Sequence, residues 1–400
     1  MKDVPFQLEA GESVAIQGAQ GGVFTLLSHL ASGASSQAWL ARREDGLMGV
    51  LKTLRTTRQA GHELVIEEQI LRQLRSRNLV KFLGRGERQG RLVLAYERVF
   101  QNPLLVMSEP AIRARLPRDP GTRYYPLPPR MALSLGLDLL RALEHMHALG
   151  FVHHDVKPAN LMMRLPALER TEAVPPAKLA ALASQSTPTG VLIDIGAARG
   201  QVFLDDFNRG EVDPGIVPPQ LTLTHAPPEA LLPTPGPHGN RPFLHPSLDR
   251  YAAALVIYAA VSGCGPYDHL EGESTSGLER VLAIKTRERE GRLSPVHFRA
   301  LAGAPGVDAS LAEALFLLLK RCLGVSWSER PAVRQVRQEL ETLCVERGLV
   351  ASGPRSGRLE APSASAAAPP PAKPKSTIKN AELHAELERI EQRNKRPPPR

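Results

Sequence analysis

Short apolar runs along the chain predict β-strands. Residues 50–52 form one such run, residues 92–97 form a second, and residues 191–193 form a third. Runs of this length are typical of strands that are buried on at least one face. The third run ends at an acidic residue, Asp194, so it is expected to carry that carboxylate to the end of a strand.

Helical periodicity predicts two amphipathic helices and one buried helix. The first apolar stripe consists of Leu64, Leu71 and Leu74, and the second of Leu133, Leu137, Leu140 and Leu143. Residues 249–258 are apolar on nearly every side after an opening Asp249. A helix of that composition belongs in a core.

Two charged residues interrupt these apolar patterns. Alternation along the first strand places Lys52 on the same face as Val50 and Leu54. Glu67 lies in the middle of the first helical stripe. Because each buried charge is costly alone, the two are predicted to form an ion pair. The alternative is an exposed lysine and a solvated glutamate, since lone surface charges are the norm.

The most informative segment is His-His-Asp-Val-Lys-Pro-Ala-Asn at residues 153–160, followed by Asp194-Ile195-Gly196. It resembles the catalytic loop and metal-binding turn of eukaryotic-type (Hanks-type) serine/threonine protein kinases. The resemblance implies that Asp155 accepts the substrate hydroxyl proton and that Lys157 neutralises the transferred phosphate. It also implies that Asn160 and Asp194 hold magnesium, whose preferred ligands are oxygens. Turn and capping residues are the alternative explanation of the segment.

The same resemblance extends to the nucleotide site. In such kinases a Lys–Glu pair positions the ATP phosphates, which implies this role for Lys52 and Glu67. Residues 92–97 resemble the strand and hinge that grip adenine, with Leu94 at the back of the pocket and Tyr96 beside it. The glycine-rich loop is the weakest match, because only Gly33 of the family pattern is present.

Downstream residues resemble the end of an activation segment. Thr222 precedes Glu229 by seven positions, where serine/threonine kinases place a hydroxyl that contacts the catalytic Asp and Lys. Arg330 matches the family arginine that pairs with this glutamate, and Asp249 matches the residue that braces the catalytic loop. His154 lies where many kinases carry an arginine that binds the phosphorylated activation loop. Because a histidine is mostly neutral near pH 7, activity is not expected to depend on phosphorylation of that loop.

These features predict an α+β, two-lobed protein kinase fold with a small β-rich N-lobe and a larger helical C-lobe. The predicted function is ATP- and Mg²⁺-dependent transfer of the γ-phosphate to Ser or Thr of a protein substrate. A small-molecule phosphotransferase shares part of the loop, but Lys157-Pro158, Thr222 and Arg330 favour a protein acceptor. The alternative from another class is a pseudokinase that serves as a binding scaffold, as the incomplete glycine loop indicates.

The predicted domains are an N-terminal extension at residues 1–23, a kinase domain at 24–347 and a tail at 348–400. The N-lobe is expected at about 24–96 and the C-lobe at about 97–347. Residues 101–130 and 165–190 lengthen two connections of the C-lobe. Connections of such length are commonly either functional or disordered.

Charge and composition restrict the remaining possibilities. Residues 351–400 hold ten Lys or Arg and five Glu, so +5 of the net charge of +9 belongs to the tail, and a nucleic-acid partner is disfavoured. The tail is rich in Pro, Ala and Ser, which predicts a disordered linker. A short stripe at 380–393 is either a helix that docks on a partner or a frayed, solvated end.

Three widely spaced cysteines offer no disulfide framework, and no apolar run is long enough to span a membrane. A cytoplasmic protein is therefore expected, since a reducing cytosol fits this cysteine content. The Ala-, Arg-, Leu- and Pro-rich composition is typical of a GC-rich bacterial genome.

Overall fold

The computed structural model describes most of the chain in two lobes. The described residues are 8–32, 36–54, 60–116, 122–185, 188–211, 221–232, 243–270 and 277–349. The smaller lobe is β-rich and the larger one is helical, so the predicted α+β, two-lobed architecture is confirmed. Gly33 and the tail segment 380–393 lie outside the described residues.

The small lobe is a closed barrel of six strands with one helix against it. Its elements are β1 (Ser13–Gln17), β2 (Gly22–Ser32), β3 (Ser36–Arg43), β4 (Met48–Leu54), α1 (Ala60–Leu71), β5 (Phe82–Arg88) and β6 (Arg91–Glu97). The strands follow the order β1-β2-β3-β4-β6-β5, and neighbours are antiparallel. Alternation along β4 and β6 turns Leu51, Val93 and Ala95 into the barrel core and Lys52 and Leu94 to the other face.

Strand β1 belongs to the barrel although it precedes residue 24. It pairs with β2 and also with β5, where Ile16 lies opposite Gly86 and thereby closes the sheet. Gly84 has φ 153°, and a side chain at this position would collide with the carbonyl oxygen of Gln17. The segment that we expected to be an extension at 1–23 therefore contributes a strand to the N-lobe.

The large lobe contains the remaining strands and helices. They are β7 (Phe100–Gln101), α2 (Pro103–Ser108), α3 (Pro110–Arg113), α4 (Pro129–Ala148), β8 (Phe151–Val152), β9 (Leu161–Arg164), α5 (Pro176–Gln185), β10 (Thr189–Leu192), β11 (Arg199–Gly200), α6 (Gln201–Arg209), α7 (Pro228–Leu231), α8 (Ser247–Ser262), α9 (Leu278–Arg289), α10 (Phe298–Ala302), α11 (Ala309–Cys322) and α12 (Val333–Glu346). Helix α8 is buried along its whole length except at Arg250, as its composition predicted. It packs against α4 in the centre of the lobe.

The segment after β9 connects the two lobes. The carbonyl oxygen of Glu169 accepts a 3.0 Å hydrogen bond from the amide of Met48 at the start of β4. The guanidinium of Arg170 contacts the carbonyl oxygen of Asp45, and Arg98 donates to the carbonyl oxygen of Glu172 at 2.8 Å. Helix α5 of the same insertion packs against α2. The described part of this insertion therefore ties the small lobe to the large one.

None of the helices in the described ranges is long and apolar enough to cross a membrane. Cys264, Cys322 and Cys344 are free thiols, and the last two are buried. The expected cytoplasmic location stays a prediction.

Candidate active site

The loop between β8 and β9 is held in place by Asp249, which lies in the first turn of α8. One carboxylate oxygen of Asp249 accepts the amide of His153 at 2.8 Å, and the other accepts the amide of His154 at 2.9 Å. Burial would raise the pKa of Asp249, but its hydrogen bond with His147 at 2.8 Å and the nearby imidazoles outweigh burial and hold the pKa at about 2. The ionised carboxylate thus fixes the backbone that leads into Asp155, as predicted.

Asp155 lies at the centre of a small polar cluster. Its Oδ1 accepts the hydroxyl of Thr222 at 2.5 Å, and its Oδ2 accepts Lys157 Nζ at 2.6 Å. Lys157 also donates to the hydroxyl of Thr222 at 3.1 Å, which closes a triangle of three side chains. Asn160 Nδ2 contacts the same carboxylate at 3.0 Å. The predicted contact of Thr222 with the Asp and Lys of the loop is therefore confirmed.

The predicted ion pair between Lys52 and Glu67 is also confirmed. Lys52 Nζ lies 2.9 Å from Glu67 Oε2 and 3.2 Å from Oε1, and it reaches Asp194 Oδ1 at 2.8 Å. Burial would lower the pKa of Lys52, but the two carboxylates outweigh it and raise the pKa above its usual value. Lys52 in turn lowers the pKa of Asp194 to about 2. One cation therefore joins β4, α1 and the turn after β10.

Asn160 and Asp194 have the right groups to hold a hard cation. Nδ2 of Asn160 donates to the carbonyl oxygen of Asp155 at 2.8 Å. The side-chain oxygen of Asn160 has no hydrogen bond among the described residues. Asp194 lies two residues after the end of β10, and its backbone has the left-handed conformation, with φ 60°. Its Oδ2 carries no hydrogen bond in the described part of the chain. A carboxylate and an amide oxygen suit magnesium, which keeps several of its waters.

The two residues predicted for the adenine pocket, Leu94 and Tyr96, lie on β6. Leu94 is fully buried opposite Lys52. The backbone of Tyr96 pairs with β4 at Val50 on one side and with β5 at Phe82 on the other. Its hydroxyl donates to Glu67 Oε1 at 2.8 Å, a contact that the apolar pattern of β6 did not indicate.

His154 lies where many similar kinases carry an arginine. Its imidazole is buried, Nδ1 contacts the carbonyl oxygen of Ala197 at 3.1 Å, and Nε2 has no hydrogen-bond partner among the described residues. Burial lowers the pKa of His154 to about 4. The ring is therefore neutral at physiological pH. Ile195, in place of the usual Phe, is fully buried.

Asn102 supports the loop from the other side and was not among the predicted site residues. Its buried Nδ2 donates to the carbonyl oxygen of Pro158 at 2.7 Å and contacts that of Leu161. Its Oδ1 caps α2 by accepting the amide of Leu105 at 3.1 Å. The sequence contained a signal for the cap, because Asn followed by Pro is typical of a helix start. The contact with the loop depends on the tertiary structure alone.

Comparison with known proteins identifies relatives of the chain and its family. The chain is 29% identical to the mouse serine/threonine-protein kinase SBK2 over 142 residues, which is 36% of this chain and 30% of that protein. It is 28% identical to the rat SBK2 over 130 residues, or 32% of this chain and 27% of the relative. The matches thus span about a third or less of the length of these relatives. The model of the protein kinase domain matches residues 24–340. This match covers most of the chain, which therefore belongs to the protein kinase family.

Proposed function

We propose that this protein is a serine/threonine kinase that transfers the γ-phosphate of ATP, with Mg²⁺, to hydroxyl groups of a protein substrate. The observation that carries the proposal is the contact of Thr222 with both Asp155 and Lys157. The hydroxyl of Thr222 holds the carboxylate of Asp155 and the ammonium of Lys157 together, the two groups that the proposed transfer needs at the acceptor hydroxyl. The similarity to a serine/threonine-protein kinase supports the choice of acceptor.

In this proposal the side chains act mainly by position and charge, because phosphoryl transfer needs little covalent chemistry from the protein. Asp155 accepts the proton of the substrate hydroxyl, and Lys157 stabilises the negative charge of the transferred group. Lys52, held by Glu67, positions the phosphates of ATP. Asn160 and Asp194 would hold the magnesium, which would neutralise the negative charge of the phosphates when bound.

Replacement of the proposed base tests this function. Asp155→Asn should lower the rate of radiolabelled phosphate transfer from ATP about 10²- to 10⁴-fold, because the amide cannot accept the proton. The matched control is Asp308→Asn, a change at the exposed start of α11. Asparagine caps a helix as well as aspartate does, so this variant should keep full activity. A rate for Asp155→Asn equal to that of the wild type would show that the base is misassigned.

A pseudokinase scaffold remains the second candidate, favoured by the single glycine of the loop at residues 31–38. Calorimetry with ATP distinguishes the two. For the proposed kinase, we expect ATP affinity to fall when magnesium is replaced by a chelator, and to fall in Asp194→Asn with magnesium present. The scaffold would be favoured by the absence of phosphate transfer together with equal ATP affinity in three cases: the wild type with magnesium, the wild type with chelator, and Asp194→Asn with magnesium.

A further inference from the structure

Tyr96 shares a buried carboxylate with Lys52. Its hydroxyl donates to Glu67 Oε1 at 2.8 Å, and the same oxygen lies 3.2 Å from Lys52 Nζ. The other oxygen of Glu67 receives Lys52 at 2.9 Å. Tyr96 is 6% exposed and Glu67 is 1% exposed. The carboxylate of α1 is thus bound to β4 by a cation and to β6 by a neutral donor.

The register of the sheet explains how Tyr96 reaches this position. On β6, Tyr96 is two residues from Leu94, which lies opposite Lys52 on β4. The side chains of Tyr96 and Lys52 therefore leave the sheet on the same face, which α1 covers. The ring packs edge to face against Phe82 of β5, with centroids 6.3 Å apart. This contact fixes the direction of the hydroxyl. The backbone of Tyr96 lies between β4 and β5, so its peptide groups face strands and not the cleft.

The hydroxyl gives Glu67 a donor that is independent of Lys52. A buried carboxylate is costly unless its oxygens are hydrogen-bonded. Lys52 shares its donors between the two oxygens of Glu67 and Oδ1 of Asp194, and the hydroxyl of Tyr96 adds a neutral donor to the Glu67 carboxylate. Burial and the charge of Glu67 raise the pKa of Tyr96 far above its usual value. The phenol therefore stays protonated and remains a donor.

We propose that Tyr96 is a positioning residue, which holds Glu67 and thereby α1 and Lys52 in the arrangement that phosphoryl transfer requires. This inference rests on the proposed kinase function. The hydrogen bond keeps α1 against the sheet without a partner protein. Its loss affects the rate through the placement of Lys52, and not through a contact with the base of the nucleotide.

The test removes the hydroxyl alone. Tyr96→Phe should lower kcat about ten- to hundredfold, the size expected for the loss of a hydrogen bond to a charged group, with a smaller change in the KM for ATP. Tyr96→Met, which also lacks the donor, should lose a similar factor. The matched control is Tyr125→Phe, at a half-buried tyrosine on the way to α4, and it should keep the wild-type kcat.

A double-mutant cycle with Glu67→Gln identifies the partner. In that background Tyr96→Phe should change kcat by less than about twofold, because the charged acceptor is already lost. An equal loss in both backgrounds would overturn the inference, and so would a wild-type kcat for Tyr96→Phe. A loss for Tyr96→Met but not for Tyr96→Phe would show that only the packing of the ring matters, which also overturns it.

The same cycle measured by urea unfolding does not depend on catalysis. If the wild type transfers no phosphate, the proposed function fails, whereas a coupling between Tyr96 and Glu67 in the free energy of unfolding would still show that the hydroxyl holds the carboxylate. Additive effects on stability would refute the inference in either case.

Discussion

At the scale of single residues, two neighbouring threonines have different surroundings. The hydroxyl of Thr222 contacts both Asp155 and Lys157, whereas that of Thr224 lies 3.1 Å from Nδ1 of His225. The difference follows from the loop conformation and not from the residue type. The two positions therefore allow a direct comparison of a hydroxyl that contacts Asp155 and Lys157 with one that contacts His225.

We predict that Thr222→Ala lowers kcat about ten- to hundredfold, because it removes hydrogen bonds to two charged groups. Thr222→Ser retains the hydroxyl and should keep most of the activity. Thr224→Ala should keep most of it as well. Steady-state kinetics on purified variants measures all three.

The Thr224 prediction depends on His154, whose neutral imidazole cannot form the strong pair with phosphate that an arginine forms. We expect phosphatase treatment of the wild type to leave the rate nearly unchanged. A collapse of activity that is restored when Thr224 is phosphorylated again would contradict this expectation.

At the scale of secondary-structure elements, a buried ion pair joins α7 to the segment before α12. Arg330 donates to the two carboxylate oxygens of Glu229 at 2.6 and 3.0 Å, and its Nε donates to the carbonyl oxygen of Gly324 at 2.9 Å. Both side chains are buried. The pairing predicted from the sequence is confirmed, and it anchors the end of the segment that carries Thr222.

We predict that Glu229→Ala lowers the free energy of unfolding by about 3–5 kcal/mol, since it leaves the Arg330 guanidinium buried without its counter-charge. The control is Arg321→Ala, which breaks the half-exposed pair with Glu339 and should cost about 1 kcal/mol or less. Urea unfolding of both variants provides the comparison. Equal losses would mean that burial does not govern the strength of these pairs.

At the scale of the whole molecule, buried histidines make stability depend on pH. Burial lowers the pKa of His154 and of His225 to about 4. In the unfolded chain both pKa values lie near 6.5. Between these values the unfolded state binds more protons than the folded state, so the free energy of unfolding falls as the pH falls from about 6.5 to about 4.

Each such group contributes up to about 1.4 kcal/mol per pH unit within that window. We predict that His154→Asn reduces the slope by about this amount, because asparagine tolerates the left-handed backbone of this position and does not titrate. Urea unfolding at several pH values between 4 and 7 measures the slope. The exposed His29→Asn serves as control, and an unchanged slope in His154→Asn would contradict the assignment.

Most pairs of polar side chains in the candidate site could be predicted from local patterns in the sequence. Lys52 and Glu67 could be matched because each interrupts a regular apolar pattern, and a buried charge requires an opposite one. Such patterns depend only on the repeat of a single helix or strand, which is a local property. The segment around Asp155 is equally local, because its groups lie within one loop.

Contacts between distant segments of the chain could be seen only in the folded protein. The fold brought β1 into the barrel, tied the insertion after β9 to the small lobe, and placed the hydroxyl of Tyr96 on Glu67. None of these contacts corresponds to a regular repeat or a characteristic residue spacing in the sequence. They depend on the register between strands and on how a helix lies across a sheet, and both are set by the packing of the whole fold.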